Sequence, residues 1–318
     1  MSYDLSPPVI APARYRAFGL RIHSEIPLPE MAPEAPGDAL PDVTILRGPP
    51  LDETGRTSPE AQFQPGRAEF FWPAVGRFTV TAPGRIEASA AAGVSDELLA
   101  FPLLGPVLAT LLHMRGLFLL HASAITMNGR DAIVLAGDKG AGKSTTAAAL
   151  CHAGHAMLSD DIVALGDEAP PAVLPAWNQM KLSAEAAAHL APEASVTRGH
   201  VHDDIPKLRI LMPGEPPAAA VPLARVYTLK RDSAVSVPQI RPLSPPQALA
   251  LTLRYAYMAR FHGMAPKGEA ERRSFRQASA LAGQVTMGEL LLPVGIDRLP
   301  AVADVIAADL ASSRRGAP

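Results

Sequence analysis

A chain of 318 residues, 48% apolar and 19% charged, is built for a folded core in one large or two modest domains, which excludes a disordered polymer. The net charge of −2 excludes a general basic field, so neither nucleic acid nor an anionic membrane is expected as a partner. The single Cys151 excludes an internal disulfide framework, fits a reducing cytoplasm, and is expected as a small core-facing hydrophobe.

No basic region followed by an apolar stretch opens the chain, so no secretory signal is expected. Residues 1–66 carry twelve prolines and read as extended segments, turns and loops. Residues 15–23 and 42–46 alternate as strands, with five prolines making a loop of 27–41 between them. Three further strands, 68–72, 76–81 and 85–89, follow at hairpin spacing, and the aromatics Phe70, Phe71, Trp72 and Phe78 are expected in the core. Residues 1–114 thus read as a small, mostly β module without visible chemistry. The apolar run 101–120 contains Pro102, Gly105, Pro106, His113, Arg115 and Gly116, too many interruptions for a membrane span. A buried helix over 107–114 and then a strand are expected instead.

From about Leu117 the character changes to α/β. A strand over 117–126, a turn at Asn128-Gly129 and a strand over Asp131–Ala136 form a predicted hairpin. It feeds Gly137, Asp138, Lys139, Gly140, Ala141, Gly142, Lys143 and Ser144, a Gly-x4-Gly-Lys-Ser phosphate loop. A breaker-free helix opens at Lys143 with Thr145 in its first turn. Strand, glycine loop and helix are the context in which this motif cradles phosphates: loop amides face the anion, Lys143 reaches the β- and γ-phosphates and Ser144 sits on Mg2+. ATP and Mg2+ are the expected cofactors.

The acidic pair Asp160-Asp161 lies sixteen and seventeen residues past Ser144, the length of one helix and the next strand. Neighbouring residues on a strand face opposite ways, so one carboxylate can serve the metal shell and the other an incoming hydroxyl. His121, one hairpin away, is either packed or catalytic. Lysine occurs at only six positions, 139, 143, 181, 207, 230 and 267, so Lys181 and Lys207 are candidates for a phosphate or a carboxylate. Arg209, Arg254 and Arg260 are candidates to assist transfer. His200 and His202 with Asp203 and Asp204 have the composition of a metal cluster, but in a turn-rich segment read as solvated. Residues 191–207 are expected as polar turns. A short helix at 184–190 precedes them, and a loop at 213–222, strands at 223–229 and 235–241, and helices at 244–261, 269–283 and 300–312 follow.

In order and spacing, His121-Ala-Ser-Ala, the hairpin, the phosphate loop, Ala-Gly-His155 and Ser-Asp160-Asp161 resemble the catalytic domain of the HPr serine kinase/phosphorylase family. That resemblance implies a phosphoenolpyruvate-carboxykinase-like P-loop kinase domain over 115–318, a mixed sheet with flanking helices. It implies Asp161 as base, Asp160 in the metal shell and His121 in the active site. The family's Glu-Ile-Arg-Gly-Leu-Gly signature, tied to phosphorylase activity, is missing. The opening stretch from Tyr15 to Glu30 is similar to the HPr-kinase-like proteins of lasso-peptide gene clusters. This implies an ATP- and Mg2+-dependent serine kinase acting on a peptide or protein, here the C-terminal serine of a ribosomal precursor peptide, and is compatible with a homo-oligomer. The alternatives are a regulatory HPr-type kinase/phosphorylase and a nucleotide-gated ATPase switch.

Overall fold

The computed structural model describes residues 12–35, 37–51, 57–166, 168–202, 205–261 and 268–315. Alternating apolar residues in the first part give seven strands: β1 (Ala13–Ala17), β2 (Leu20–Ser24), β3 (Val43–Arg47), β4 (Glu60–Gln64), β5 (Arg67–Trp72), β6 (Gly76–Thr81) and β7 (Arg85–Ala90). They form one sheet in the order β1-β2-β3-β7-β6-β5-β4, antiparallel except where β3 runs parallel to β2 and β7. In β6, Phe78 and Val80 are buried while Arg77 and Thr79 lie on the wetter face, the period of a half-buried strand.

Ser95 caps α1 (Asp96–Pro102), its hydroxyl accepting the Leu98 amide at 3.3 Å. A distorted turn at Leu103–Val107 leads into α2 (Leu108–Met114). Leu99, Leu103, Leu108, Leu111 and Leu112 are all but fully buried in a core with Phe70, Phe78 and Ile86 of the sheet. The stretch Asp96–Met114 is long and apolar enough to cross a membrane by length and composition, and 67% of its most apolar window is buried within the protein. The same core takes in Leu119, Ile162, Trp177 and Tyr257, so the first sheet and the region of the acidic pair share packing.

The rest is a mixed sheet between helices. Its strands are β8 (Phe118–Leu120), β9 (Ala122–Met127), β10 (Asp131–Ala136), β11 (Ala156–Ser159), β12 (Val163–Leu165) and β13 (Ala172–Leu174). A three-stranded antiparallel sheet follows, from β14 (Gln179–Leu182), β15 (Val196–His202) and β16 (Ile205–Leu211), with β16 in the middle. The mixed sheet then continues with β17 (Val221–Arg231), β18 (Gln239–Pro242) and β19 (Thr286–Leu292). Its order is β11-β9-β10-β17-β13-β12-β8, with β19 also on β17 and β18 outside β19. β10, β17 and β19 run parallel, and the other pairs are antiparallel.

Helices α3 (Lys143–His152), α4 (Ala184–Leu190), α5 (Pro245–Tyr255), α6 (Glu269–Gln284) and α7 (Ala301–Arg315) complete the chain. Ile133 and Leu135 of β10 pack with α3 and α7, while Ala132 and Val134 pack with α5 and α6. Both faces of β10 are therefore covered, which fixes the strand that ends at the glycine loop of residues 137–142. Cys151 is buried in this core, and burial pushes its thiol up to about 12, so it is inert packing as its position suggested.

Several elements differ from expectation. The strand over 15–23 is a hairpin, because Phe18 and Gly19 take left-handed backbone at φ 55° and 72° and turn the chain back. The strand over 117–126 breaks at His121, whose amide bonds the Tyr255 carbonyl at 2.8 Å, so β8 pairs with β12 and β9 with β10. The expected turns of 191–207 include β15 and part of β16, whose polar residues sit in a small outer sheet. Helix 244–261 stops at Tyr255, where Ala256 bridges Leu120 and a single 3-10 turn follows. The strand expected at 235–241 is confined to β18, and β19 was not expected. Asp160 and Asp161 lie in a bend between β11 and β12, not on a strand.

His113, 6% exposed on α2, supplies a stability test. Burial, with the Arg273 charge second, lowers its imidazole from the ordinary 6.5 to about 4. A depressed folded pKa means the neutral ring costs nothing above about 6.5, and stability is lost as pH falls from there through about 4. The loss amounts to about 3 kcal/mol. Unfolding free energies across that window should fall less steeply in His113→Leu than in wild type; equal slopes would contradict it.

Candidate active site

The loop from Gly137 to Gly142 turns the buried end of β10 into α3. Gly140 and Gly142 hold φ of 87° and 99°, a left-handed backbone that other residues adopt only at a cost. Gly142 is the N-cap of α3 and offers no side-chain cap. The first-turn amides, with the positive end of the helix, are thereby left to an incoming anion. Lys143 Nζ donates to the Gly137 carbonyl at 2.9 Å and approaches the Asp138 carbonyl at 3.5 Å. Burial lowers the Lys143 pKa, with Asp161 and Asp160 pulling the other way.

Asp160 is 4% exposed and sits behind the loop. It accepts Ser123 Oγ at 2.6 Å and Ser144 Oγ at 3.1 and 3.2 Å. Burial first, then the Asp161 charge, push its carboxyl above the usual range against those bonds and the Lys181 charge. Asp161 takes a left-handed φ of 67°, a strained conformation for a residue with a Cβ. That backbone, rather than strand alternation, sends the two carboxylates apart. The Asp161 side chain is 40% exposed in the cleft and receives Lys181 Nζ at 3.0 Å. Burial raises its carboxyl, but the Lys181 charge and hydrogen bond, then His121 and Lys207, outweigh it and hold Asp161 well below the usual carboxylate range. One carboxylate is thus driven toward its acid and its neighbour toward its base.

His121 occupies the break between β8 and β9. Its Nδ1–H donates to the Asp161 carbonyl at 3.0 Å, leaving Nε2 as the acceptor nitrogen of a neutral ring. Burial, then the Lys143 and Arg260 charges, lower its pKa and keep it neutral at pH 7. The ring meets Tyr257 edge-on at 6.1 Å.

These groups converge on one cleft of about 820 Å3. All the loop residues singled out in the sequence line it except Ala141, which packs into the core below, and Asp160, which lies behind Ser144. Lys139, Lys143, Lys181 and Lys207 line it, four of the chain's six lysines. Arg231, Arg254 and Arg260 add three more cations, against the carboxylates of Asp138 and Asp161. Arg254 is paired with Asp138 at 2.7 and 2.9 Å in the open, a contact worth little in stability. Arg209 is excluded from the cleft: it is buried in β16 and paired with Glu97 of α1. His200 is exposed on β15, the His202 side chain, Asp203 and Asp204 lie outside the described residues, and no metal-sized cluster of His, Cys, Asp or Glu occurs among the described residues.

Sequence reasoning missed Ser123, Arg231 and Tyr255. Ser123 had a signal in its two-residue offset from His121. Arg231 and Tyr255 reach the cleft only through the pairing of β17 with β10 and the end of α5.

Ser144 Oγ and the Asp160 carboxylate form a compact pair of hard oxygens beside the loop. That donor set fits Mg2+, which takes one or two protein oxygens and fills its octahedron with phosphate and water. A cation there would also offset the cost of ionising buried Asp160.

No family model and no curated protein matches this chain. Among solved structures it is similar to the HPr(Ser) kinase/phosphatase of Coxiella burnetii, at 11% identity over 62% of this chain and 98% of that chain. The TM-score is 0.31, so the function is argued from the site alone.

Proposed function

We propose that this chain is a cytoplasmic ATP- and Mg2+-dependent kinase with a phosphoenolpyruvate-carboxykinase-like transfer domain over 115–318 and a β module before it. The observation that carries this is the Asp161 carboxylate, held by Lys181 at 3.0 Å, facing the same cleft as the uncapped phosphate loop. Loop amides and Lys143 hold the β- and γ-phosphates, and bound Mg2+, held by Ser144 and Asp160, supplies charge neutralisation of those phosphates. The acceptor oxygen attacks the γ-phosphorus as Asp161 takes its proton; the bond to the β–γ bridging oxygen breaks and ADP leaves. Lys181 fixes the base carboxylate, and the neutral His121 offers Nε2 as a hydrogen-bond partner to the acceptor hydroxyl.

The acceptor we propose is a serine of a peptide, in particular the C-terminal serine of a lasso-peptide-type precursor. Support comes from the motif spacing of residues 121–161 and from cations beyond those a triphosphate needs. Lys207, whose charge acts on Asp161, and Arg260, whose charge acts on His121, line the cleft and suit a chain-terminal carboxylate next to the attacked hydroxyl. Intact-mass analysis of serine-ending peptides with ATP and Mg2+ tests this. A phosphate-sized gain is expected, slower by about tenfold when the C-terminus is amidated. ATP consumption with no gain on any peptide would point to the ATPase switch and refute the substrate assignment. Chelating the metal should stop transfer.

A further inference from the structure

Lys181, which fixes the proposed base, stands at a crowded point of the small outer sheet. Its cross-strand partner on β16 is Arg209, so two cations lie side by side on one face. Like charges in that position repel, and here water screens them little, since the Arg209 side chain is only 9% exposed and that of Lys181 27%. Three anions offset them. Asp161 takes Lys181 at 3.0 Å. Glu97 of α1 pairs with Arg209, and one turn further along the same helix face the Phe101 ring lies 4.9 Å from Lys181 Nζ. The third is Glu30, in the loop between β2 and β3, a residue only 6% exposed whose Oε2 has no hydrogen-bond partner. Burial pushes the Glu30 carboxyl up, and the Lys181 charge, then the Arg209 charge, pull it back.

The β module is seated so that Glu30 stays there. The Phe18 amide donates to the Pro175 carbonyl at 2.7 Å, and the Phe18 ring meets Trp177, just before β14, edge-on at 5.6 Å. Arg198 of β15 donates to the carbonyl of Pro29, the residue before Glu30, at 2.6 Å. We propose that Glu30 is a positioning residue for phosphoryl transfer, a buried carboxylate supplied by the β module that keeps Lys181 beside Arg209 and so aims its ammonium at Asp161. Glu30 does not line the cleft, so it acts only through Lys181. Without its charge, Arg209 repels Lys181 with less to oppose it, and Asp161 loses its fixed geometry. The module that carries no chemistry of its own thereby completes the site.

This inference rests on Asp161 as the base, and a double-mutant cycle separates the two. Transfer of the γ-phosphate, to a serine-ending peptide or to water, is followed in a single turnover on the full chain. The variants are Glu30→Gln, Lys181→Met and the two combined, beside Asp161→Asn. Glutamine keeps the size of Glu30 and removes its charge; Glu30→Met takes its place in the cycle should the first variant fail to fold. Glu30→Gln should slow transfer by about tenfold to a hundredfold and leave the affinity for a non-hydrolysable ATP analogue as in wild type. In the Lys181→Met background it should slow transfer no further, because the group it acts through is gone. Wild-type transfer in Glu30→Gln or in Lys181→Met, or equal slowing by Glu30→Gln with and without Lys181, overturns the positioning role while a slow Asp161→Asn keeps the base reading. Asp161→Asn at the wild-type rate, or a wild type that transfers to neither acceptor, overturns the base reading and this inference with it.

Discussion

Asp161→Asn is expected to slow phosphoryl transfer by about 100- to 10,000-fold while nucleotide affinity stays close to wild type. Asparagine keeps the size of the side chain and is one of the few residues that accept the left-handed backbone this position requires. It removes the charge that, in the proposed mechanism, takes the acceptor's proton. Lys181, 27% exposed, loses its ion partner but keeps contact with water and with the Phe101 ring at 4.9 Å, so the fold should survive. The loss should appear in single-turnover transfer rates and not in the binding isotherm. Transfer at the wild-type rate would remove Asp161 from the role of base.

Lys143→Ala is the second large effect. Its ammonium is the one cation carried on the first turn of α3 beneath the loop, held by the Gly137 carbonyl at 2.9 Å. A preorganised donor aimed at developing phosphate charge contributes about 100- to 1,000-fold in rate, and its loss should also weaken triphosphate binding. The helix should persist, because alanine is the best helix former. Rates and affinity measured on a variant with a wild-type melting curve decide this; an unchanged rate would mean that the phosphates lie elsewhere.

What was legible in the sequence was local. A strand, a glycine loop and a helix are adjacent in the chain, and a helix-plus-strand spacing returns the pair Asp160-Asp161 to Ser144, so the loop and the acidic pair could be placed from spacing. The strict alternation of β6 made its core face equally plain. What was illegible depends on contacts distant in sequence. β19 is a central strand only because β17 lies parallel beside it, a register no short-range pattern encodes. Arg231 enters the cleft because β17 outruns β10. His121 looked like a strand residue, and it becomes a site residue because the chain breaks there to meet the Tyr255 carbonyl. The geometry of Asp161 also escaped, since its orientation comes from a left-handed φ that an aspartate tolerates but does not announce. Lysine scarcity was the one compositional signal that pointed correctly at a distance: Lys181 and Lys207 both line the cleft.

The most direct measurement is a calorimetric titration of the wild-type chain with a non-hydrolysable ATP analogue, with and without Mg2+. Saturable one-to-one binding that strengthens with Mg2+ is the expected result. No saturation at millimolar analogue with Mg2+ present would contradict the central claim that this cleft holds a nucleoside triphosphate.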